Sequence, residues 1–449
     1  MNPTRVHILV RSIGLMLMAG SAWAGVTADE AAKLKTTLTP LGAERAGNKE
    51  GSIPAWTGGV AKGPAGAPNS LPADPYAKDK PEFQITAANM AQYAGKLSEG
   101  AQALLKKYPS FHIDVYPTRR SAAVPQYVQD NTFRNATKGE LVGNGESVKG
   151  VYGGIPFPIP KSGIEVYWNH TLHYRVPSTE FGMKNIIGSA DGRRTLGTAA
   201  DNNNQAPYYY PDGSAEKWQG DYLLARFTNK APTFKVGEAL VIRDTVNAPE
   251  TRAAWQYLVG QRRVRRAPTV AYDTPDFVAS GANYFDEVIG FYGAPDRYEW
   301  KLVGKKEMYI PYNNNRFFNT PEDEAFVPHH PDPAKTRWEL HRVWVVEASL
   351  APGKRHAVPK RRFYFDEDTW AVSMVDGYDA EGKLWRTNFV FPYTVPEVPA
   401  LVSDPVFVFN LQAGTFSCVQ CINGGYWRSV GIKPDRFFTG DALASDGVR

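Results

Sequence analysis

The chain has 449 residues with 51 basic and 46 acidic side chains, so its formal net charge is only +5. A balance so close to neutral argues against a protein whose main partner is nucleic acid or another polyanion. The 40 glycines and 34 prolines, together with 11 Trp, 23 Tyr and 22 Phe, predict many short strands, tight turns and extended loops.

Residues 1–24 have the pattern of a secretory signal peptide. Arg5 and Arg11 form a basic start before the apolar stretch Ile13–Ala19. Ala22-Trp23-Ala24 then predicts cleavage near Ala24, and removal of the two arginines takes the net charge from +5 to +3. No later apolar run reaches about 18 residues. We therefore expect an exported, periplasmic protein without a transmembrane helix.

Residues 25–84 are predicted to form an extended N-terminal segment. Val26 to Leu41 contains a short helical pattern, and the stretch up to Pro75 is dense in Pro, Ala and Gly. Such a strip cannot build a core of its own, and Ile53 and Trp56 would be poor choices for a free linker. We expect this segment to lie across the main body.

Residues 85–449 are predicted to form a single domain with a helical part at 85–176. Thr86 to Tyr108 carries apolar residues on one side at helical spacing, and the following proline ends a helix. Ser162 and Glu165 have the spacing of a capping box, which favours a second helix over 163–174. Apolar residues at alternate positions there also fit a strand, so that alternative stays open.

The stretch Gly150–Val176 also contains prolines 156, 158 and 160, which hold the backbone extended around Phe157 and Ile159. These two side chains are presented with little conformational freedom left to lose. We interpret this stretch as a candidate lid that lines or closes the mouth of a cavity.

The β-meander predicted at 208–393 is the strongest indication of architecture. Polar and apolar residues alternate most clearly over Trp338–Leu350, and acidic turns at 366–368 and 379–382 indicate two successive hairpins. Further strands are predicted at 222–227, 240–246, 254–264 and 298–310. The pattern predicts an α+β, mainly β protein with one large curled antiparallel sheet and an aromatic inner face.

The aromatic residues of this sheet have two interpretations. They either fill a large core or line a cavity for an apolar ligand, in which each buried CH₂ of an acyl chain contributes about 0.8 kcal/mol. The side chains that we expect to line such a cavity are Phe157, Ile159, Trp168, Trp255, Trp300, Trp344 and Trp385.

The most concentrated charge is Gln261-Arg-Arg-Val-Arg-Arg266. Outside the cytoplasm the candidate partners of Arg262, Arg263, Arg265 and Arg266 are anionic lipid headgroups or an acidic protein surface, not nucleic acid. The alternative is a strand end whose arginines face water.

Neither a metal nor a cofactor is expected. His170 and His173 can share a helix face, but no third ligand is indicated nearby. Turn positions explain Asp366, Asp368, Asp376 and Asp379 without calcium. In an exported protein, Cys418 and Cys421 predict a disulfide, with a redox-active pair as the alternative.

Five motifs together resemble the domain-of-unknown-function 1329 family, over nearly the whole mature chain. They are Ile53-Pro-Ala-Trp-Thr-Gly-Gly59, Tyr116-Pro-Thr-Arg-Arg120, Gly154-Ile-Pro-Phe-Pro-Ile-Pro160 with Trp168-Asn-His170, the stretch Tyr257–Pro268 with Tyr272-Asp-Thr-Pro275, and Phe365-Asp-Glu-Asp-Thr-Trp370. In this chain Val259 stands where the family pattern has a proline before Gly260.

The family looks like a distant relative of periplasmic lipoprotein carriers and outer-membrane lipoprotein receptors. The resemblance implies an incomplete β-barrel wrapped on helices, a hydrophobic cavity and no catalytic residue. We therefore expect a non-enzymatic periplasmic carrier for lipid transport, with the helices 86–108 and 163–174 packed in the concavity of the sheet. The alternatives are an accessory or structural subunit of an envelope transport complex, docked on a membrane protein, and a hydrolase of hydrophobic esters.

Overall fold

A computed structural model describes residues 25–60, 70–267, 270 and 272–447. The predicted signal peptide, residues 1–24, lies outside the described residues. Within the described ranges, every helix is too short or too polar to cross a membrane.

The helical part of the chain is small. The α-helices are α1 (Ala28–Ala32), α2 (Glu99–Lys107), α3 (Gln126–Lys138), α4 (Gly163–Thr171), α5 (Asn315–Asn319), α6 (Glu322–Ala325) and α7 (Gly440–Gly447). In α4 the Ser162 hydroxyl accepts a hydrogen bond from the Glu165 amide, and the Glu165 carboxylate accepts one from the Ser162 amide. The capping-box prediction is thus confirmed, and the strand alternative for this stretch is wrong.

The helix predicted over 86–108 is interrupted. A 3-10 helix runs from Met90 to Lys96, Leu97 is extended, and α2 begins after Ser98. The Ser98 hydroxyl accepts a hydrogen bond from the Ala101 amide at 3.1 Å. The prediction of one continuous helix is wrong because this serine caps a new helix where side-chain periodicity alone shows no break.

Most of the chain forms strands. The first group is β1 (Phe83–Ile85), β2 (Ile113–Val115), β3 (Glu140–Val142), β4 (Ser147–Lys149), β5 (Ser178–Gly188), β6 (Arg194–Gln205), β7 (Asp221–Ala231), β8 (Ala239–Thr245), β9 (Arg252–Leu258) and β10 (Arg263–Arg266). The second group is β11 (Tyr298–Pro311), β12 (Phe326–Val327), β13 (His330–Pro331), β14 (Trp338–Leu350), β15 (Lys360–Asp366), β16 (Val372–Tyr378), β17 (Leu384–Val390), β18 (Tyr393–Val395), β19 (Ala400–Val402), β20 (Val406–Asn410), β21 (Thr415–Cys421) and β22 (Trp427–Ser429).

One 16-stranded sheet organises the fold. Strands β5 to β10 form one antiparallel meander, and β11, β14 to β17, β20 and β21 form a second. The two meanders join where β21 and β22 both pair with β5. Among the described strands, β1 and β10 are the two ends of the strand order and β11 pairs with β14 alone, so the sheet does not close into a barrel. The prediction of a mainly β protein with one large open sheet is confirmed.

Two features of the first meander differ from the sequence prediction. Strands β5 and β6 lie between residues 178 and 205, for which no strand was predicted. The single strand predicted over 254–264 is wrong, because a turn at Val259–Gln261 separates β9 from β10. Arg262 closes this turn with a left-handed backbone (φ 48°), which reverses the chain direction.

The loop 272–297 and α4 cover one side of the sheet, which we call the inner face. The ring centroids of Phe363 in β15 and Phe291 in the loop lie 5.1 Å apart. Those of Phe365 and His170 of α4 lie 5.4 Å apart. Alternate residues point to the opposite, outer face. There the Asp376 carboxylate accepts hydrogen bonds at 3.0 Å from the first two amides of α2. The two helices expected together in one concavity therefore lie on opposite faces.

The N-terminal segment is attached to the sheet through Arg120. Its buried guanidinium donates to both Asp368 oxygens, at 2.6 and 2.9 Å, and to the carbonyl oxygen of Glu44 at 2.8 Å. The Trp370 indole donates to the carbonyl oxygen of Leu41 at 2.7 Å. Motifs that are far apart in the sequence thus meet in one buried, bidentate ion pair.

Candidate functional site

Two adjoining cavities lie on the inner face of strands β5 to β8. The empty volume is about 650 Å³ for the larger and about 440 Å³ for the smaller, and both volumes include space that is open to solvent. Asn204, Leu223 and Asp404 line both cavities. The two spaces therefore adjoin each other across a shared wall, and we treat them as one candidate site.

The floor of the larger cavity follows from strand alternation. Residues at every second position point to the same side, and the register of β5 to β8 brings those positions together. The floor residues are Met183, Asn185, Asn202, Asn204, Leu223, Ala225, Phe227, Leu240 and Ile242.

The loop 272–297 forms the roof of the larger cavity. Its contributions are Asp276, Val278, Phe285, Val288, Ile289 and Tyr292. Two buried ion pairs hold this roof to the second meander: Asp286 binds Arg361 at 2.8 and 3.1 Å, and Glu287 binds Arg386 at 2.6 and 2.7 Å. A largely apolar space under a loop with a few polar groups is the usual form of a small-molecule site.

Two opposite charges face the smaller cavity. Arg175 follows α4, and its Nη1 donates to the Thr171 carbonyl at 2.9 Å. Asp404 follows β19, and the two side chains form no direct ion pair in the described structure although both line this cavity. Burial raises the pKa of the Asp404 carboxyl, and the positive charge of Arg175 opposes that rise.

Polar atoms without partners line the same space. Arg175 Nε, Asn202 Oδ1, Asn204 Oδ1 and Gln420 Oε1 are buried and have no hydrogen-bond partner within the described residues. Leaving a buried polar atom unpaired costs about 1–3 kcal/mol, so such atoms call for an explanation such as a bound group or water.

The four sheet tryptophans that were predicted to line a cavity do not lie together. Trp255 packs on the outer face with the C-terminal residues Phe438 and Leu443. Trp300 packs on Tyr167 of α4 at 4.7 Å. Trp344 stacks with Trp370 at 6.0 Å, and the Trp385 indole donates to Asn410. These four tryptophans are not among the described residues that line the two cavities.

The candidate lid segment is fixed within the helical part. The amide and carbonyl of Phe157 both bond to the Asn169 side chain, at 2.8 and 2.7 Å, and Ile159 packs on a small cluster around Leu34. The Trp168 indole donates to the Gly145 carbonyl at 2.8 Å, and its ring lines a separate cavity of about 370 Å³. Neither Phe157 nor Ile159 lines the two adjoining cavities.

The arginine cluster lies at a free edge of the sheet. Arg262, Arg263, Arg265 and Arg266 are all exposed, at the start of or along β10. Arg266 pairs with Glu250 at 3.3 Å, and Arg263 donates to Gln261. Strand β10 lies at one end of the strand order, whereas the turn between β15 and β16 that binds the N-terminal segment belongs to the second meander. The arginine cluster therefore forms a separate charged surface.

The histidines of α4 have structural partners. The amide of Val372 donates to His170 Nδ1 at 3.1 Å, and His170 Nε2 bonds to the Phe291 carbonyl at 3.0 Å. Burial lowers the pKa of His170 to about 3, so its ring is neutral. His173 stacks on His170 at 5.4 Å.

A group of His341, Asp366 and Asp368 was not recognised from the sequence. Their potential ligand atoms lie within 4.8 Å of one another, and all three side chains are buried. Arg120 already binds both Asp368 oxygens, and Tyr312 and Thr369 donate to Asp366 at 3.1 and 2.7 Å. These donors give the two carboxylates a structural role at the hairpin turn.

The remaining candidates are also placed. The turn position predicted for Asp376 is wrong, because this residue lies within β16 and binds the start of α2. Partly exposed Asp379 accepts a hydrogen bond from the Lys383 amide in a turn. Cys418 and Cys421 are joined by a disulfide, at the point where the register between β21 and β5 shifts.

Comparison with known proteins shows what the chain resembles. The sequence profile of the family described as protein of unknown function (DUF1329) matches residues 84–444. An uncharacterized protein of Pseudomonas aeruginosa is 44% identical over 403 residues, which cover 86% of each chain.

Two solved structures were also found. One is a putative outer membrane lipoprotein-sorting protein domain from Vibrio parahaemolyticus, with 13% identity and a TM-score of 0.44 over 63% of this chain and 98% of that one. The other is a DUF1329 family protein from Desulfovibrio piger, with 14% identity and a TM-score of 0.42 over 63% of this chain and 97% of that one.

Proposed function

This chain belongs to the DUF1329 family, and on that premise we propose that it is a carrier that binds a lipid or another hydrophobic ligand. The observation that carries the proposal is the larger cavity, which has apolar side chains on its floor and in its roof. Burying an acyl chain there contributes about 0.8 kcal/mol for each CH₂ removed from water. The role that we propose is binding, without catalysis, in the periplasm.

Movement of the roof would widen the partly open cavity for ligand entry. The floor belongs to four hydrogen-bonded strands, whereas the roof loop 272–297 contains only short 3-10 turns. The two ion pairs of the roof, Asp286 with Arg361 and Glu287 with Arg386, then hold the loop closed over a bound ligand.

A cavity-filling variant tests this proposal. Ala225 lines the floor, so the Ala225→Phe substitution places a ring in the ligand space. Ala253 lies on β9 opposite Arg243 and points to the outer face, so Ala253→Phe is the matched control. We expect the apolar dye N-phenyl-1-naphthylamine to bind the wild type and the Ala253→Phe variant, and at least tenfold more weakly to Ala225→Phe. Equal binding by all three proteins would contradict a ligand in this cavity.

A second role has support from the exposed arginines of β10. We propose that this edge docks on an anionic membrane surface or an envelope transport protein, since about four basic residues contribute roughly 1 kcal/mol each near anionic lipid. Replacement of Arg262, Arg263, Arg265 and Arg266 by serine should abolish co-sedimentation with phosphatidylglycerol vesicles at low salt. Unchanged co-sedimentation would show that the edge does not dock on anionic lipid.

A further inference from the structure

Several polar side chains lie at or near the wall that the two cavities share. Asn204 and Asp404 line both cavities, Arg175 faces the smaller one, and Asn202 and Gln420 face the larger one. By contrast, most roof residues of the larger cavity are apolar. The site therefore has a polar junction beside a largely apolar space.

The junction has unused hydrogen-bonding capacity. Asn202 is 3% exposed, yet its Oδ1 has no partner among the described residues, and neither do Asn204 Oδ1, Gln420 Oε1 and Arg175 Nε. Strand β6 places Asn202 and Asn204 on the inner face, while Asn203 between them, whose Oδ1 also has no partner among the described residues, points outward. Two adjacent inward amides on one strand are an unusual choice, since Asn is depleted in strands.

We propose that this junction binds the uncharged, hydrogen-bonding head group of an amphiphile, such as a hydroxyl or a primary amide, whose hydrocarbon chain lies in the larger cavity. The proposal rests on the carrier function proposed above and specifies its ligand class. A hydroxyl both donates and accepts, so it can donate to Asp404 or an amide oxygen and accept from Arg175 Nε.

The charges of the junction argue for an uncharged head group. A basic side chain, Arg175, and an acidic one, Asp404, line the same cavity, so neither sign of ligand charge is favoured overall. A carboxylate would approach Asp404 and the amide oxygens, which repel it, and an ammonium would approach Arg175. A neutral group that both donates and accepts satisfies the unpaired atoms without adding a buried charge.

Competition between matched ligands tests the head group. Dodecan-1-ol donates and accepts, 1-methoxydodecane only accepts, and dodecanoate is an anion. We expect dodecan-1-ol to displace N-phenyl-1-naphthylamine from the wild type about tenfold more effectively than either other compound, as for the loss of one buried hydrogen bond. Equal competition, or dodecanoate as the strongest competitor, would overturn the inference.

Variants of β6 locate the effect. Asn204→Leu should reduce the difference between dodecan-1-ol and 1-methoxydodecane to about twofold or less, whereas Asn203→Leu, on the opposite face of the same strand, should retain it. The same loss in both variants would overturn the junction, and Asp404→Asn provides a second test should Asn204→Leu fail to fold. If the dye and all three compounds fail to bind the wild type, the carrier function itself is wrong. If all bind without discrimination, only the head-group inference fails.

Discussion

The Arg386→Met substitution is expected to open the roof of the cavity. Arg386 is buried and donates to both oxygens of Glu287 at 2.6 and 2.7 Å, and to the carbonyl of Ala282 at 3.3 Å. Removal of one partner leaves the buried Glu287 carboxylate uncompensated, at a cost of about 3–5 kcal/mol if the loop stays in place. The loop can escape this cost by moving Glu287 into water.

The expected change in ligand release follows from that cost. If opening relieves only 1.4–2.8 kcal/mol of it, the open population rises about 10- to 100-fold, and ligand leaves faster by the same factor. Stopped-flow measurement of N-phenyl-1-naphthylamine release reports this rate directly. The control is Arg362→Met on the outer face, which loses an ion pair with Glu347 but touches no roof residue.

A double variant separates the roof from general destabilisation. Glu287→Met combined with Arg386→Met removes both charges, so the buried carboxylate no longer drives opening and release should return toward the wild-type rate. If Arg386→Met lowers the unfolding temperature but leaves the release rate unchanged, the roof loop is not the route of ligand exchange.

Two further predictions concern the rest of the fold. A Cβ at Gly100 would lie 2.0 Å from the Thr387 hydroxyl, so Gly100→Ala should destabilise the protein by about 1–3 kcal/mol in urea unfolding, whereas Gly95→Ala, with open space around it, should not. An equal effect of both changes would contradict the close packing of α2 on the sheet. Burial raises the pKa of Asp276 from its ordinary 3.8 to about 6, so ionisation of this carboxyl lowers the stability of the fold above about pH 6, and that cost disappears as the pH falls from about 6 towards 3.8. Relative to the wild type, Asp276→Asn should therefore gain up to about 3 kcal/mol between pH 4 and pH 7, and a constant difference across that range would refute the buried carboxylate.

Elements that depend on interactions within a few residues along the chain could be predicted from the sequence. The capping box of Ser162 and Glu165 identified α4, because both hydrogen bonds form within one turn. The alternation over Trp338–Leu350 predicted the bounds of β14, because successive side chains of a strand point to opposite faces. The acidic turns after β15 and β16 likewise separate adjacent antiparallel strands.

Part of the candidate site lies on β5 and β6, which were not predicted from the sequence. Strand β6 ends in Asp201-Asn-Asn-Asn-Gln205, residues that disfavour strands on propensity alone. Its place in the sheet is set by pairing with β5 and β7, which a local pattern does not show. A run of amides at alternate inward positions would have been the signal to follow.

For the same reason, the aromatic pattern did not indicate where the two cavities lie. Trp255, Trp300, Trp344 and Trp385 share an apolar character, but whether they converge depends on register and on which face each strand turns inward. The register of β8 and β9 pairs Trp255 with Val241, and paired residues share a face, so both side chains lie on the outer face. In the second meander the large side chains pack in the core, whereas the two cavities lie on the first meander.

The central claim is that this protein carries a hydrophobic ligand in the cavities beneath the loop 272–297. Native mass spectrometry of protein purified from the periplasm, followed by lipid extraction, tests it most directly. The account predicts a bound amphiphile in the wild type and in the Ala253→Phe variant, and its loss from folded Ala225→Phe. Wild-type protein that emerges without ligand and takes up none of the dodecyl compounds would contradict it.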